Sequence, residues 1–432
     1  MGLIAAMSIG VGGMIGAGIF SILGVAGQTA GTGMWVSFVI AGAAALLCTY
    51  SFAKLAVTYP SAGGPVEFLV QGLGDNVLSG GLNLLLWVAY ILGLALFASA
   101  FGGYASTFVS TSAPPLVGRL LGIGVIVLFA AINFFGARAV GRSELFVVGV
   151  KLAILALFAG AGLYFASPSA FAPSTWPPGS QIMLGAGVVF IAYEGFGLIT
   201  NAAEDMATPK KTLPRALYLS VVFVMVVYVA VSLAVIGNLP IPAIVAARDY
   251  ALAAAAKPFL GNFGFRLITI AALFSTASAI NASLYGGANV SYAIARDGEL
   301  PRFFERKVWG RGTEGLLITT GLVIAFASSF GLSGIAMMGS ASFLVIYAAV
   351  NVAHLRLIDK TGARRWAVWV SVVTNVAFFA ILVKKLIASN PAALWTLAGA
   401  LAVCFAAEWI YRRATGRALR TRHPAEGVRT TS

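Results

Sequence analysis

Glu194 lies near the middle of residues 181–203, a run apolar enough to cross a bilayer. A carboxylate at that depth costs about 2.5–3.5 kcal/mol on insertion scales, so such groups face a bundle interior or a watery cavity and mark ligand or proton pathways. Its surroundings read Phe190-Ile-Ala-Tyr-Glu-Gly-Phe-Gly197, with two glycines where a helix tolerates them least. A second weak stretch lies close to the N-terminus, in Gly10-Val-Gly-Gly-Met-Ile-Gly-Ala-Gly-Ile-Phe20. Helices opened in mid-membrane bare amide N–H groups on one half and carbonyls on the other. The N–H end suits a carboxylate and the carbonyl end an ammonium. An α-amino acid carries both groups. The competing reading of the first stretch is packing, because Gly12 and Gly16 form a GxxxG contact surface.

A cation completes the set. Lys151 lies seven residues beyond Glu144 in an apolar run, about 10 Å along a helix. Its stem could snorkel to the interface. Alternatively its ammonium bridges the first span and the eighth, and loads and releases a proton. Ser275, Ser278, Asn281 and Ser283 in the eighth span read as interhelical hydrogen-bonders rather than ion ligands.

The elements that must hold these groups follow from composition. Of 432 residues 59% are hydrophobic and 10% charged, against about 25% charged in soluble domains, so the chain is an integral membrane protein. Apolar runs of about 20 residues fall near 3–28, 34–59, 79–110, 115–136, 145–166, 181–203, 213–236, 264–295, 316–331, 334–354, 366–387 and 392–411. The charge-free run 267–295 is too long for a 30 Å core and should tilt or bend. Residues 243–256 read as a short external lid or connector.

The net charge of +14 falls between the runs and in the tail, which fits membrane orientation and no nucleic-acid partner. Arg119, Arg248, Lys257, Arg266, Lys384 and Lys385 fall on one side and the other 22 of the 28 basic residues on the opposite one. That bias puts both termini in the cytoplasm and the chain, multi-pass, in the cytoplasmic membrane. Arg412, Arg413, Arg417, Arg420 and Arg422 read as a topology anchor. Met1 leads into a retained first span rather than a signal peptide. Cys48 and Cys404 read as packing residues, and no Cys/His spacing, Gly-rich phosphate loop or catalytic set implies a metal, a cofactor or an enzyme.

The expected fold is all-α, with twelve transmembrane helices. Residues 1–166 would form one five-helix repeat and 181–357 a second, inverted one. Helices over 366–411 and a basic cytoplasmic tail over 412–432 would follow. The two weak helices then hold equivalent first positions, the arrangement that points to a secondary transporter's substrate site.

Gly13-Met-Ile-Gly-Ala-Gly-Ile-Phe20, Phe190-Ile-Ala-Tyr-Glu-Gly-Phe196, Ala203-Glu-Asp-Met-Ala-Thr-Pro-Lys-Lys-Thr-Leu-Pro-Arg-Ala216 and Tyr292-Ala-Ile-Ala-Arg-Asp-Gly-Glu-Leu-Pro301 occur in order on these spans. With them the chain resembles the amino acid–polyamine–organocation superfamily, whose fold is a LeuT-type five-plus-five inverted repeat with two additional helices. The resemblance implies a substrate site over Met14, Ile15, Gly16, Ala17 and Gly18, where Gly16–Gly18 offer N–H groups to a carboxylate. Met14 and Ile191 would turn carbonyls to the amino group, and Phe190, Ile191 and Ala192 would line the pocket. It further implies that Lys151 favours proton over sodium coupling, and that Glu194 carries protons, steadies the open helix or meets a cationic substrate. The usual basic N-terminal tail of the family is missing.

The function expected is import of amino acids by proton symport with alternating access. An amino acid or polyamine exchanger is the alternative, and a channel or intramembrane enzyme the remote one. The partners expected are a small-molecule amino acid or amine, protons and the lipid bilayer.

Overall fold

The computed structural model describes residues 1–61, 63–111, 113–135, 140–296 and 314–415. The described residues are helical with short connections and contain no strand. The helices are α1 (Leu3–Ala30), α2 (Met34–Thr58), α3 (Pro65–Leu73), α4 (Val77–Ser106), α5 (Pro115–Phe135), α6 (Val140–Tyr164) and α7 (Gly179–Val189). A 3₁₀ segment, Phe190–Asp205, extends α7. There follow α8 (Pro209–Asn238), α9 (Ile241–Ala246), α10 (Ala251–Arg296), α11 (Glu314–Ser329), α12 (Leu332–Arg356), α13 (Ile358–Thr361), α14 (Arg365–Ser389) and α15 (Pro391–Thr415).

A rod falls on each of the twelve apolar runs. Ten stretches among the described residues are long and apolar enough to cross a membrane, one of them joining the end of α1 to α2. The start of α1, Leu3–Gly16, and the helix Glu314–Ser329 are shorter apolar stretches.

The rods sort into a core and a shell. In α4 and in the α7 rod the apolar window is 78% buried, whereas in α5 and α15 it is 22% buried. Leu120, Leu128, Phe146, Trp395 and Val403 point outward into what would be an aggregating surface in water. A bilayer removes that penalty. At the centre α1 lies along the 3₁₀ segment, flanked by α8 and α10, while α4 packs against α10, α5, α12 and α15.

Two expectations are corrected. First, α1 runs from Leu3 to Ala30 without an interruption, although a break was expected within Gly10–Phe20. Close packing accounts for Gly10, Gly13, Gly16 and Gly18 instead. A methyl on Gly10 would strike Ile199, and one on Gly18 would lie 2.1 Å from the Tyr228 hydroxyl.

Second, the change in the sixth rod starts at Phe190, upstream of the expected weak point at Glu194–Gly197. The Ser340 hydroxyl enters the helix there: it accepts from Ile191 N at 3.0 Å and donates to Val188 O at 2.7 Å. Side chains inserted into the backbone ladder are a known cause of helix breaks.

The long α10 has a break at Gly261 (φ 61°, ψ −156°), ahead of the run 267–295. A left-handed φ at this place suits glycine.

The stretch expected as a lid is helical, as α9, the turn Arg248–Tyr250 and the start of α10. It is also seated: a methyl on Gly24 of α1 would lie 2.1 Å from Arg248 O, and one on Gly103 of α4 would lie 2.7 Å from Asp249 O. Arg412 and Arg413 close α15. The tail beyond Thr415, and the side chains of the motif Tyr292–Pro301, lie outside the described residues.

Candidate functional site

The contact between α1 and the 3₁₀ segment is backbone on backbone. A Cβ on Gly195 would lie 2.5 Å from Met14 N and 2.6 Å from Gly13 C, so no other residue fits between the rods. Glycine on both sides is what permits the approach. Two hydroxyls then draw on the carbonyls of α1. Tyr228 of α8 donates to Met14 O at 2.6 Å and lies 3.0 Å from Ala192 O, tying the two rods together. Ser275 of α10 donates to Gly16 O at 2.7 Å, with Ile15 O at 3.4 Å. Three successive carbonyls of α1 therefore share their lone pairs with side chains, which weakens the helical bonds at the turn where opening was expected.

Lys151 is buried, at 4% exposure, and its stem does not reach the surface. Its Nζ lies 3.8 Å from where a Gly16 Cβ would be, and Ala279 of α10 packs on the same glycine at 3.3 Å. The ammonium thus lies beside Gly16, on a part of α1 that α10 also packs against.

Glu194 points across the 3₁₀ segment toward α4, where a methyl on Gly93 would lie 3.5 Å from its Oε1. Its Oε2 is buried without a hydrogen-bond partner among the described residues. The Tyr347 hydroxyl donates to the Glu194 backbone O at 3.1 Å. Phe190 packs edge-on against Tyr347 with ring centroids 5.8 Å apart, sealing that flank.

Met14, Gly18, Ile191, Ala192 and Glu194 share one small space with Gly13, Ile22, Leu96 and Phe97. It amounts to about 220 Å³ of empty volume, in gaps too narrow for a water molecule. Ile15, Gly16 and Phe190 do not line it, and the side chain of Ala17 lies outside the described residues. Trp87 and Asn351 are buried outside this space and bond to Thr319 at 3.2 Å and Ser51 at 2.6 Å. Asn281 accepts from Asn133 across helices at 2.7 Å, as a structural bond.

The sequence reading missed Tyr228 and the wall formed by Leu96 and Phe97. The signal for Tyr228 was present: it is the one hydroxyl in the apolar run 221–231. Leu96 and Phe97 sit in a uniformly apolar helix, whose pattern does not tell an inner face from a packed one.

The amino acid permease family profile matches residues 1–413. An uncharacterized protein of Methanocaldococcus jannaschii is 45% identical over 413 residues, 95% of each chain. An inner membrane transport protein of Escherichia coli is 34% identical over 358 residues, 83% of each chain. The methylthioribose transporter of Bacillus subtilis is 28% identical over 367 residues, 80% of this chain and 78% of the other.

Proposed function

The chain belongs to the amino acid permease family, and on that premise we propose that it imports amino acids across the cytoplasmic membrane by proton symport. The observation that carries this reading is the Tyr228 hydroxyl held between Met14 O and Ala192 O. It pairs, in mid-bundle, the two stretches whose backbone groups suit a zwitterion. The substrate site comprises Met14–Gly18 of α1 with Phe190, Ile191, Ala192 and Glu194 of the sixth rod.

Because α1 is wound and the inner space is closed, binding and opening are one step. The amides of Gly16, Ala17 and Gly18 become available to a carboxylate when the turn above them unwinds. Tyr228 and Ser275 already satisfy part of the carbonyls that would be freed, so opening costs less there than elsewhere in α1. The carbonyls of Met14 and Ile191 then receive the ammonium.

Twelve spans in a five-plus-five inverted repeat, with both termini cytoplasmic, provide the frame for alternating access. In that frame α1 and the sixth rod rock against a scaffold. Lys151 couples the cycle: its ammonium holds α1 to α10 and releases them on losing its proton. One charge crossing 100 mV yields about 2.3 kcal/mol, roughly 50-fold accumulation of a neutral solute.

The test is uptake by the purified protein in proteoliposomes. Radiolabelled neutral amino acids, polyamines and methylthioribose are offered with an imposed proton gradient, and separately with substrate trapped inside. Accumulation of an amino acid driven by the gradient alone supports the reading. Uptake that appears only with trapped substrate replaces it with exchange, and uptake of methylthioribose alone removes the amino acid.

A further inference from the structure

The connection from α12 to α14 gathers positive charge. Residues 356–365 carry Arg356, Lys360, Arg364 and Arg365 against a single carboxylate, Asp359, and all four cations are exposed. Lys54, near the end of α2, adds a fifth, since its Nζ donates to Gly362 O at 3.4 Å. No ion pair joins any of the five to a carboxylate among the described residues. Like charges gathered in this way repel, and an anion from outside the chain relieves the repulsion.

These charges are held in place. The connection is wound as α13 and closed by Gly362, whose left-handed φ of 61° turns the chain toward α14. It is tied at two points: Arg364 N donates to the Tyr50 hydroxyl of α2 at 2.7 Å, and Thr361 Oγ1 lies 2.9 Å from His354 Nε2 of α12. α14 starts at Arg365, so its amide end adds positive potential to the same corner. Onward from the corner runs an apolar lane. Trp366, Trp369, Val370, Val373 and Val376 are exposed, and their spacing puts them on one face of α14. The two indoles stand next to the charges, as aromatic residues do at a membrane boundary.

The geometry points to an anionic phospholipid site on this corner, with the lipid phosphate among Lys360, Arg364 and Arg365 and an acyl chain along Trp369, Val370 and Val373. Basic clusters at the end of a span, next to an aliphatic surface, are complementary to such a headgroup. A second copy of this chain suits the face poorly, because a two-fold contact would set its unpaired cations against themselves. The topology proposed above turns this corner to the cytoplasm, where the leaflet carries anionic lipid. The site does not depend on which solute is carried. A lipid bound there braces α14 to α2 through the turn that Tyr50 and Lys54 hold.

Thermal unfolding of the purified full-length protein in detergent, titrated with dioleoylphosphatidylglycerol, tests it. A saturating rise in midpoint is expected, with no comparable rise for dioleoylphosphatidylcholine. Each cation near a lipid surface is worth about fivefold in affinity, so Arg364→Gln/Arg365→Gln should weaken apparent binding about 30-fold. The fixed bond of Arg364 is made by its backbone, which the variant keeps. Lys210→Gln/Lys211→Gln, an exposed pair on α8, should leave binding unchanged. A second measurement does not rely on stability: dibrominated phosphatidylglycerol should quench tryptophan fluorescence, and Trp366→Phe/Trp369→Phe should lose most of that quenching. Equal weakening in the lysine pair reduces the effect to general surface charge and overturns the site. Quenching left intact in the tryptophan variant, or equal stabilisation by phosphatidylcholine, overturns it as well. Glycerol 3-phosphate matching the lipid would assign the corner to a free anion. A dimer broken by Val373→Trp, with phosphatidylglycerol inert, would give the face to a second copy; either result removes the lipid.

Discussion

At the scale of single residues, two ionisable groups and one phenol set the expectations. Lys151→Ala removes the ammonium beside Gly16, so gradient-driven accumulation in proteoliposomes should fall to the level of equilibration. Counterflow, which needs no proton gradient, should persist; undiminished accumulation in this variant excludes the coupling role. Glu194→Gln keeps shape and hydrogen-bonding capacity but cannot ionise. Uptake measured across pH should lose one limb of its profile if the buried carboxylate moves protons, and keep both if it only steadies the 3₁₀ segment.

Tyr228→Phe deletes a donor shared by Met14 O and Ala192 O. A net hydrogen bond contributes about 0.5–1.5 kcal/mol, so thermal stability should drop modestly, while stabilisation by substrate should be largely lost. Equal ligand stabilisation in wild type and variant would detach Tyr228 from the site. Glu194 and Lys151 were legible in the sequence because charge in an apolar run is costly and conspicuous. Tyr228 was visible only as the one hydroxyl in its run, a weak signal because a lone phenol in a membrane helix has many structural uses.

At the scale of elements, the contact between α1 and the 3₁₀ segment depends on glycine for room rather than for flexibility. Gly195→Ala drives a methyl into the backbone of Gly13 and Met14. Overpacking of this kind costs about 1–3 kcal/mol, occasionally more, and thermal unfolding of the purified variant should show a lowered midpoint. Gly124→Ala in α5, where nothing lies within 4 Å of the new methyl, should be neutral or stabilising by up to about 1 kcal/mol. An unchanged or raised midpoint in both would mean that helix propensity, not fit, governs these positions.

The run-by-run reading located every long rod, because twenty apolar residues between Gly and Pro clusters leave little choice of structure. It mislocated the discontinuities. Five glycines in Gly10–Phe20 signal weakness, but five are equally what close packing needs, and the neighbours that decide are distant in sequence. The true break in the sixth rod comes from Ser340, about 150 positions downstream of Val188. No local pattern around Phe190 records it.

At the scale of the molecule, the last rod is fastened to the core by charge. Glu408 of α15 is buried against Gly80 of α4, and Arg412 reaches back to it at 2.5 Å and on to Asp75 ahead of α4. Arg412 is partly exposed, so each of these ion pairs contributes about 0.2–1 kcal/mol. Arg412→Gln should therefore loosen α15, seen as faster proteolysis or hydrogen exchange in that helix, with α1 and α8 unaffected. Uniform loosening would show that the cluster anchors the whole bundle.

The sixteen residues Phe190–Asp205 are wound as 3₁₀ over a length at which that winding is uncommon. A 3₁₀ turn rises about 2.0 Å per residue against 1.5 Å for an α-helix. Rewinding the segment would shorten it by about 8 Å and turn its far end through most of a revolution. The rod that bears Glu194 thus has a stroke as well as a tilt: counted from Phe190, rewinding draws Glu194 in by about 2 Å and the far end by about four times as much.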